Sequence, residues 1–264
     1  ALFLASITLV CLHSRFAPTN ALVLLAFACF VASYVGIADK TSSHYLYETL
    51  FWGGGHVLQF AYVQIMITAW LALGRPHPYP QLLWLPLLLA AASSVAIYAL
   101  NSVQSPEYIT LFTKQMYWLS SVGVLLVLPF IRTHNLAVYL SVALFFVGGS
   151  LGHMIGQVST TVIPAHYHGS VMAVTIALMG LAYQHLGMRP HKLQLWLYFV
   201  GQATHVICMA VMGFHGASRK TPGDMGAGIA KMWAGIMDFG GLLVLIGGVM
   251  FVVIVLRKIK NLSH

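Results

Sequence analysis

Val162-Ile163-Pro164-Ala165-His166-Tyr167-His168-Gly169-Ser170-Val171-Met172-Ala173-Val174-Thr175-Ile176-Ala177-Leu178-Met179-Gly180-Leu181-Ala182 is the stretch that decides the fold. From Val162 to Leu186 it contains no Asp, Glu, Lys or Arg. As a helix rising about 1.5 Å per residue, it is long enough to cross a hydrocarbon core of about 30 Å. The same letters carry chemistry. His166 and His168 sit one residue apart near its start. On a helix, positions i and i+2 point roughly 200° apart. One metal does not easily take both imidazoles, but two separate groups, one on each side, do. That is the geometry for gripping two hemes with a single helix.

The rest of the chain has the same character. Of its 264 residues, 59% are hydrophobic and 7% charged, whereas a soluble domain carries about 25% charged residues. Composition therefore predicts an integral membrane protein. Cys11, Cys29 and Cys208 lie in apolar runs without CxxC spacing, which argues against a disulfide framework or a zinc site. The net charge of +8 comes from scattered basic residues, a pattern of membrane-flanking loops rather than of nucleic-acid binding. Thirteen histidines in so apolar a chain point toward metals.

Eight apolar segments are predicted as transmembrane helices, at about 20–37, 48–74, 82–101, 111–131, 136–157, 162–186, 191–214 and 229–256. A shorter apolar run, Ala1 to Leu12, precedes them as a partial span, and residue 1 reads as an interior point of a longer polypeptide. The breaks carry turn chemistry, as in Arg75-Pro76-His77-Pro78, Ser105-Pro106 and Arg189-Pro190. The prediction is one all-α membrane domain over 1–264, a polytopic helix bundle of about eight full spans plus the partial one.

Loop charges set the orientation. One side collects Arg15, Arg75, Arg132, Arg189, Lys192, Arg257, Lys258 and Lys260, with no acid. The other holds Lys40, Lys114, Arg219, Lys220 and Lys231 together with Asp39, Glu48, Glu107 and Asp224. The positive-inside rule makes the first side, with the C-terminus, cytoplasmic. The starts of the segments bearing His56 and His166 then face outside, as does the Arg219-Lys220 loop.

Neutral imidazole is a good iron ligand, and the apolar interior of a helix bundle can bury a heme. Heme propionates are anionic, so Arg219 and Lys220, on the His166 side, are candidate partners for them. His56 follows Gly53-Gly54-Gly55, which permits close approach of a helix or a flat cofactor. His153 and His205 are read as hydrogen-bonding neighbours or as ligands to a further cofactor. His185 falls near a cytoplasmic helix end. His13, His44, His77, His134, His191, His215 and His264 fall in loops or tails and are expected to be solvated.

Several of these segments resemble subunit I of the heme-copper oxidases, the superfamily of cytochrome c oxidase and nitric oxide reductase. Tyr47-Glu48-Thr49-Leu50-Phe51-Trp52 with Gly55-His56 is similar to that family's sixth helix, which presents a copper ligand. Thr160 to His168 is similar to its tenth helix, with the Ala-His-aromatic-His pattern. Gly213-Phe214-His215-Gly216-Ala217-Ser218-Arg219-Lys220 is similar to its Gly-x-x-Gly-x-x-Arg-Arg motif, with Lys in place of the second Arg. The resemblance covers nearly the whole chain, as the C-terminal two thirds of the fold, from the fourth or fifth helix to the twelfth. It implies a high-spin heme on His166, a low-spin heme on His168, propionates on Arg219 and Lys220, and His56 as a catalytic copper ligand. It also implies an energy-transducing membrane such as a bacterial inner membrane. The implied partners are further membrane subunits, including the missing N-terminal helices, and a cytochrome or similar electron donor.

The departures concern copper. Where the family has a His-His pair after its seventh helix, this chain reads Tyr98-Ala99-Leu100-Asn101-Ser102-Val103. Phe60 stands for a Tyr found in many members, and Val57-Leu58 for Pro-Glu. One imidazole with these neighbours does not hold copper firmly. The expected function is thus electron transfer between two hemes to dioxygen or nitric oxide, an oxidoreductase if a distal metal is present. One alternative is a copper-free relative serving electron transfer or assembly. Another is a transporter with a histidine proton path, which broken helices and midplane charges would mark; Asp238 is the clear acid inside a segment.

Overall fold

The structure, a computed structural model, describes residues 17–37, 43–75, 77–155, 160–218 and 227–262. The helices are α1 (Ala17–Gly36), α2 (Ser43–Ala72), α3 (Leu85–Leu100), α4 (Pro106–Leu119), α5 (Val122–Val127), α6 (Leu136–His153), α7 (Val162–His185), α8 (Lys192–Phe214) and α9 (Ala227–Leu262). Short 3-10 turns, Pro80–Trp84 and Leu128–Phe130, precede α3 and follow α5. Among the described residues, eight helical stretches are long and apolar enough to cross a membrane. The protein is an all-α transmembrane bundle, an integral membrane protein with helices that contact lipid. The partial run Ala1 to Leu12 lies outside the described residues.

Local chemistry sets the helix ends. Ser105 caps α4 by accepting from the Tyr108 amide at 3.2 Å, with Pro106 at the first helical position. Asn135 caps α6 through the Ala137 amide at 2.9 Å. Gly187 and Gly216, at φ 63° and 86°, end α7 and α8 in the left-handed conformation. The amides that follow them turn back, Met188 to Tyr183 O at 2.8 Å and Ala217 to Met212 O at 3.0 Å.

Packing divides the chain into two compact units, Ala1–Leu71 with Pro76–Ile131, and Ala72–Arg75 with Arg132–His264. In the first, Leu22, Val23, Phe60, Ala61 and Ala90 form one core cluster. Ala26, Cys29, Val57, Ile97, Tyr108 and Phe112 belong to another. A buried hydroxyl group links four helices here. Ser33 Oγ lies 2.8 Å from Tyr98 Oη and 2.9 Å from Tyr108 Oη. Tyr98 donates to Cys29 O, and the Gly53 amide donates to Tyr108 Oη. The fourth predicted span is not one continuous helix: it breaks between α4 and α5 at Ser120-Ser121. His77 departs from its expected solvated state. It is buried, its Nδ1 accepts from the Tyr79 amide at 3.0 Å, and its ring sits edge-on to Phe130 at 4.7 Å. The turn it belongs to folds back over the unit instead of into water.

In the second unit α6 packs on α7, α7 on α8, and α8 on α9. Small residues bring the backbones together, as in membrane helix pairs generally. A Cβ built on Gly169 meets Gly148 Cα at 2.5 Å. One built on Gly201 meets Gly240 O at 2.6 Å.

Candidate functional site

The two histidines of α7 face different neighbours. His166 Nδ1 lies 2.7 Å from Gly148 O on α6, with Ser170 Oγ at 3.5 Å. A carbonyl only accepts, so Nδ1 carries the proton and Nε2 presents its lone pair. The seat is made by glycine: a Cβ on Gly152 falls 2.6 Å from Cε1 and 2.7 Å from Nδ1 of the His166 ring. His168 turns the other way, toward α8. Its Nδ1 lies 3.3 Å from Nε2 of the buried Gln202. Its ring centroid is 5.0 Å from that of His205. His205 in turn donates from Nδ1 to Met237 O on α9 at 3.2 Å. The divergence expected from helix geometry is therefore present, with α6 on one side and α8 on the other.

His56 lies in the first unit, half-buried on α2. Its Nδ1 donates to Trp52 O one turn earlier at 2.7 Å, which again leaves Nε2 as the lone-pair nitrogen. Its ring neighbours are Trp52 at 4.9 Å and Phe112 at 6.4 Å. The glycine run before it admits aromatic side chains of the same unit. Cβ atoms on Gly53 and Gly54 would strike Tyr98, Tyr108 and Phe30, while Gly55 has open space. Leu100 is 81% exposed, and Asn101 Nδ2 donates to Ile97 O. Phe60 is core.

Arg219 and Lys220 lie outside the described residues. Ser218, just before them, bridges to Thr160, and the Thr161 amide donates to Ala217 O at 3.0 Å. The chain thus enters the basic pair from beside the start of α7. His153, at the end of α6, is exposed.

Three contributors escaped the sequence reading: Gly148, Gly152 and Gln202. Gly148-Gly149-Ser150-Leu151-Gly152 is a small-xxx-small pattern, which signals close helix approach but not what is seated there. Gln202 gave no signal beyond an amide in an apolar run. Among the described residues, no three His, Cys, Asp or Glu side chains converge as a metal-ligand group.

No family model matches this chain. It is similar to Uncharacterized protein RP382 of Rickettsia prowazekii (strain Madrid E), 28% identical over 311 aligned residues, covering 89% of this chain and 60% of that protein. It is also similar to an uncharacterized protein of Aquifex aeolicus (strain VF5), 26% identical over 192 residues, covering 68% of this chain and 49% of that protein. The chain spans between about half and three fifths of the length of these relatives.

Proposed function

We propose that this chain is a heme-binding membrane subunit of a respiratory complex, similar to the catalytic subunit of a heme-copper oxidase. It passes electrons from a heme at His168 to a heme at His166, with dioxygen or nitric oxide as acceptor. The observation that carries this reading is the divergence of His166 and His168, with Nδ1 of His166 donating to Gly148 O. Metal-ligating imidazoles are commonly oriented in this way through the other ring nitrogen.

The donor set fits heme iron directly at His166. His166 offers a neutral Nε2, held by Gly148 O. At His168, Gln202 Nε2 points at Nδ1. The same amide nitrogen lies 3.4 Å from the His168 carbonyl oxygen, so the amide donates on both sides and the His168 ring proton sits on Nε2. Iron there would require the amide to move off and the proton to shift to Nδ1. When bound, heme would supply one-electron transfer and binding of the diatomic acceptor. The chain's own part is to fix two ring orientations and to keep the surroundings apolar. Arg219 and Lys220 are proposed propionate partners, supported by the Ser218–Thr160 bridge. His56, whose Nε2 presents its lone pair, is proposed as a catalytic metal ligand, and the complex as one of an energy-transducing membrane with a cytoplasmic C-terminus. Its proposed partners are further membrane subunits and a cytochrome-type donor.

The test is a reduced-minus-oxidised spectrum with iron and copper counts on the purified complex containing this chain. Two hemes are expected, without a copper held by three histidines of this chain. His166→Ala should abolish the carbon-monoxide-reactive heme signal, and His168→Ala the low-spin band. A complex without heme overturns the reading. Copper held by His56 and two further histidines shows that the alignment around residue 100 is wrong. Iron without copper, together with failure to reduce either acceptor, favours the alternative of a copper-free electron-transfer or assembly subunit. A third reading, a transporter, would be supported by proton flux into vesicles in the absence of heme.

A further inference from the structure

Helix α9 has two apolar faces, and α8 covers one of them. Gly240, Leu243, Val244 and Gly247 lie against Gly201 and Tyr198. The other face carries Asp238, Leu242, Leu245, Val249, Val252 and Leu256. Their spacings are 4, 3, 4, 3 and 4 residues, the heptad seam of a helix that packs knobs-into-holes against another. The five apolar members are each 51–62% exposed, and Asp238 is exposed with them. The seam runs about 27 Å along the axis, most of a hydrocarbon core. One turn above Asp238, Gly235 meets nothing within 4 Å, which lets a neighbouring backbone approach.

Asp238 says what the neighbour must bring. It lies inside the span Lys231–Asn261, where an unpaired carboxylate is costly. Among the described residues no ion pair reaches it. Lys231 shares its face but lies two turns, about 10 Å, closer to the helix start. Helical side chains lean toward the N-terminus, so Lys231 leans away from Asp238. A second copy docked on this seam about a two-fold axis would set Asp238 against Asp238, a like-charge contact in a medium that disfavours even one.

We infer that the Asp238–Leu256 face of α9 docks a further transmembrane helix that carries a basic side chain level with Asp238. The seam supplies shape and the carboxylate supplies register, since a single polar position fixes alignment in such packings.

The experiment uses the full chain in phosphatidylcholine vesicles with two synthetic 24-residue Leu/Val helices. One has Lys at a single seam position about 10 Å from its end, the other Leu there. Association is read by energy transfer between labelled chain and labelled peptide. The wild-type chain should bind the Lys helix roughly tenfold more tightly than the Leu helix, the range of one polar contact between membrane helices. Asp238→Leu should erase that preference. Leu245→Trp, which leaves the charge in place, should weaken both helices. Equal binding of the two helices by wild type overturns the inference. So does a preference that survives in Asp238→Leu, or energy transfer between two labelled copies of the chain that outcompetes the Lys helix.

Discussion

Gly152 offers a direct measure of how tightly His166 is seated. In Gly152→Ala the new Cβ stands 2.6 Å from Cε1, 2.7 Å from Nδ1 and 3.3 Å from Nε2 of the imidazole. Carbon atoms pack at about 3.5–4.0 Å, so the ring must retreat by about 1 Å. That retreat stretches the 2.7 Å contact from Nδ1 to Gly148 O past hydrogen-bonding range. Overpacking costs about 1–3 kcal/mol and a lost internal hydrogen bond about 1 kcal/mol. The better helix propensity of alanine returns about 1 kcal/mol. The net expectation is destabilisation by about 1–3 kcal/mol, from those three magnitudes. Gly149→Ala is the matched control, because a Cβ there meets nothing within 4 Å. It gains the propensity term alone and should be neutral or stabilising. The assay is reversible unfolding of the detergent-solubilised chain, with loss of helical ellipticity as the signal. If Gly152→Ala proves as stable as Gly149→Ala, the His166 ring is not held in this slot, and the argument for its fixed orientation fails.

Two further substitutions probe the first unit. Gln64 is buried with neither amide atom hydrogen-bonded among the described residues, so Gln64→Leu should raise stability by about 1–2 kcal/mol. A lower unfolding midpoint would mean that the amide has a partner the packing does not reveal. Ser33→Ala removes a hydroxyl shared by Tyr98 and Tyr108 and should cost about 1 kcal/mol, because both phenols keep other partners. A loss several times larger in the same unfolding measurement would show that the hydroxyl group acts as one cooperative network.

The sequence by itself determined the helical membrane fold, because the absence of charge over twenty or more residues leaves the helix as the structure that satisfies every backbone group in lipid. It also determined that His166 and His168 diverge, since that follows from 3.6 residues per turn alone. Tertiary structure decided which helix each of them meets: α6 with its glycine slot for His166, α8 with Gln202 and His205 for His168. It decided that His77 is buried and that the fourth span breaks at Ser120-Ser121. It also decided that the Asp238 seam of α9, and not the Gly240 face, is left open. The physical reason is common to all of these. In a soluble helix the apolar stripe marks the buried side, but lipid tails are as apolar as leucine. A membrane helix that is hydrophobic all round does not encode in its own letters which face meets protein and which meets lipid. Side-chain volume and the approach of neighbouring backbones make that choice, and both exist only once the helices are packed.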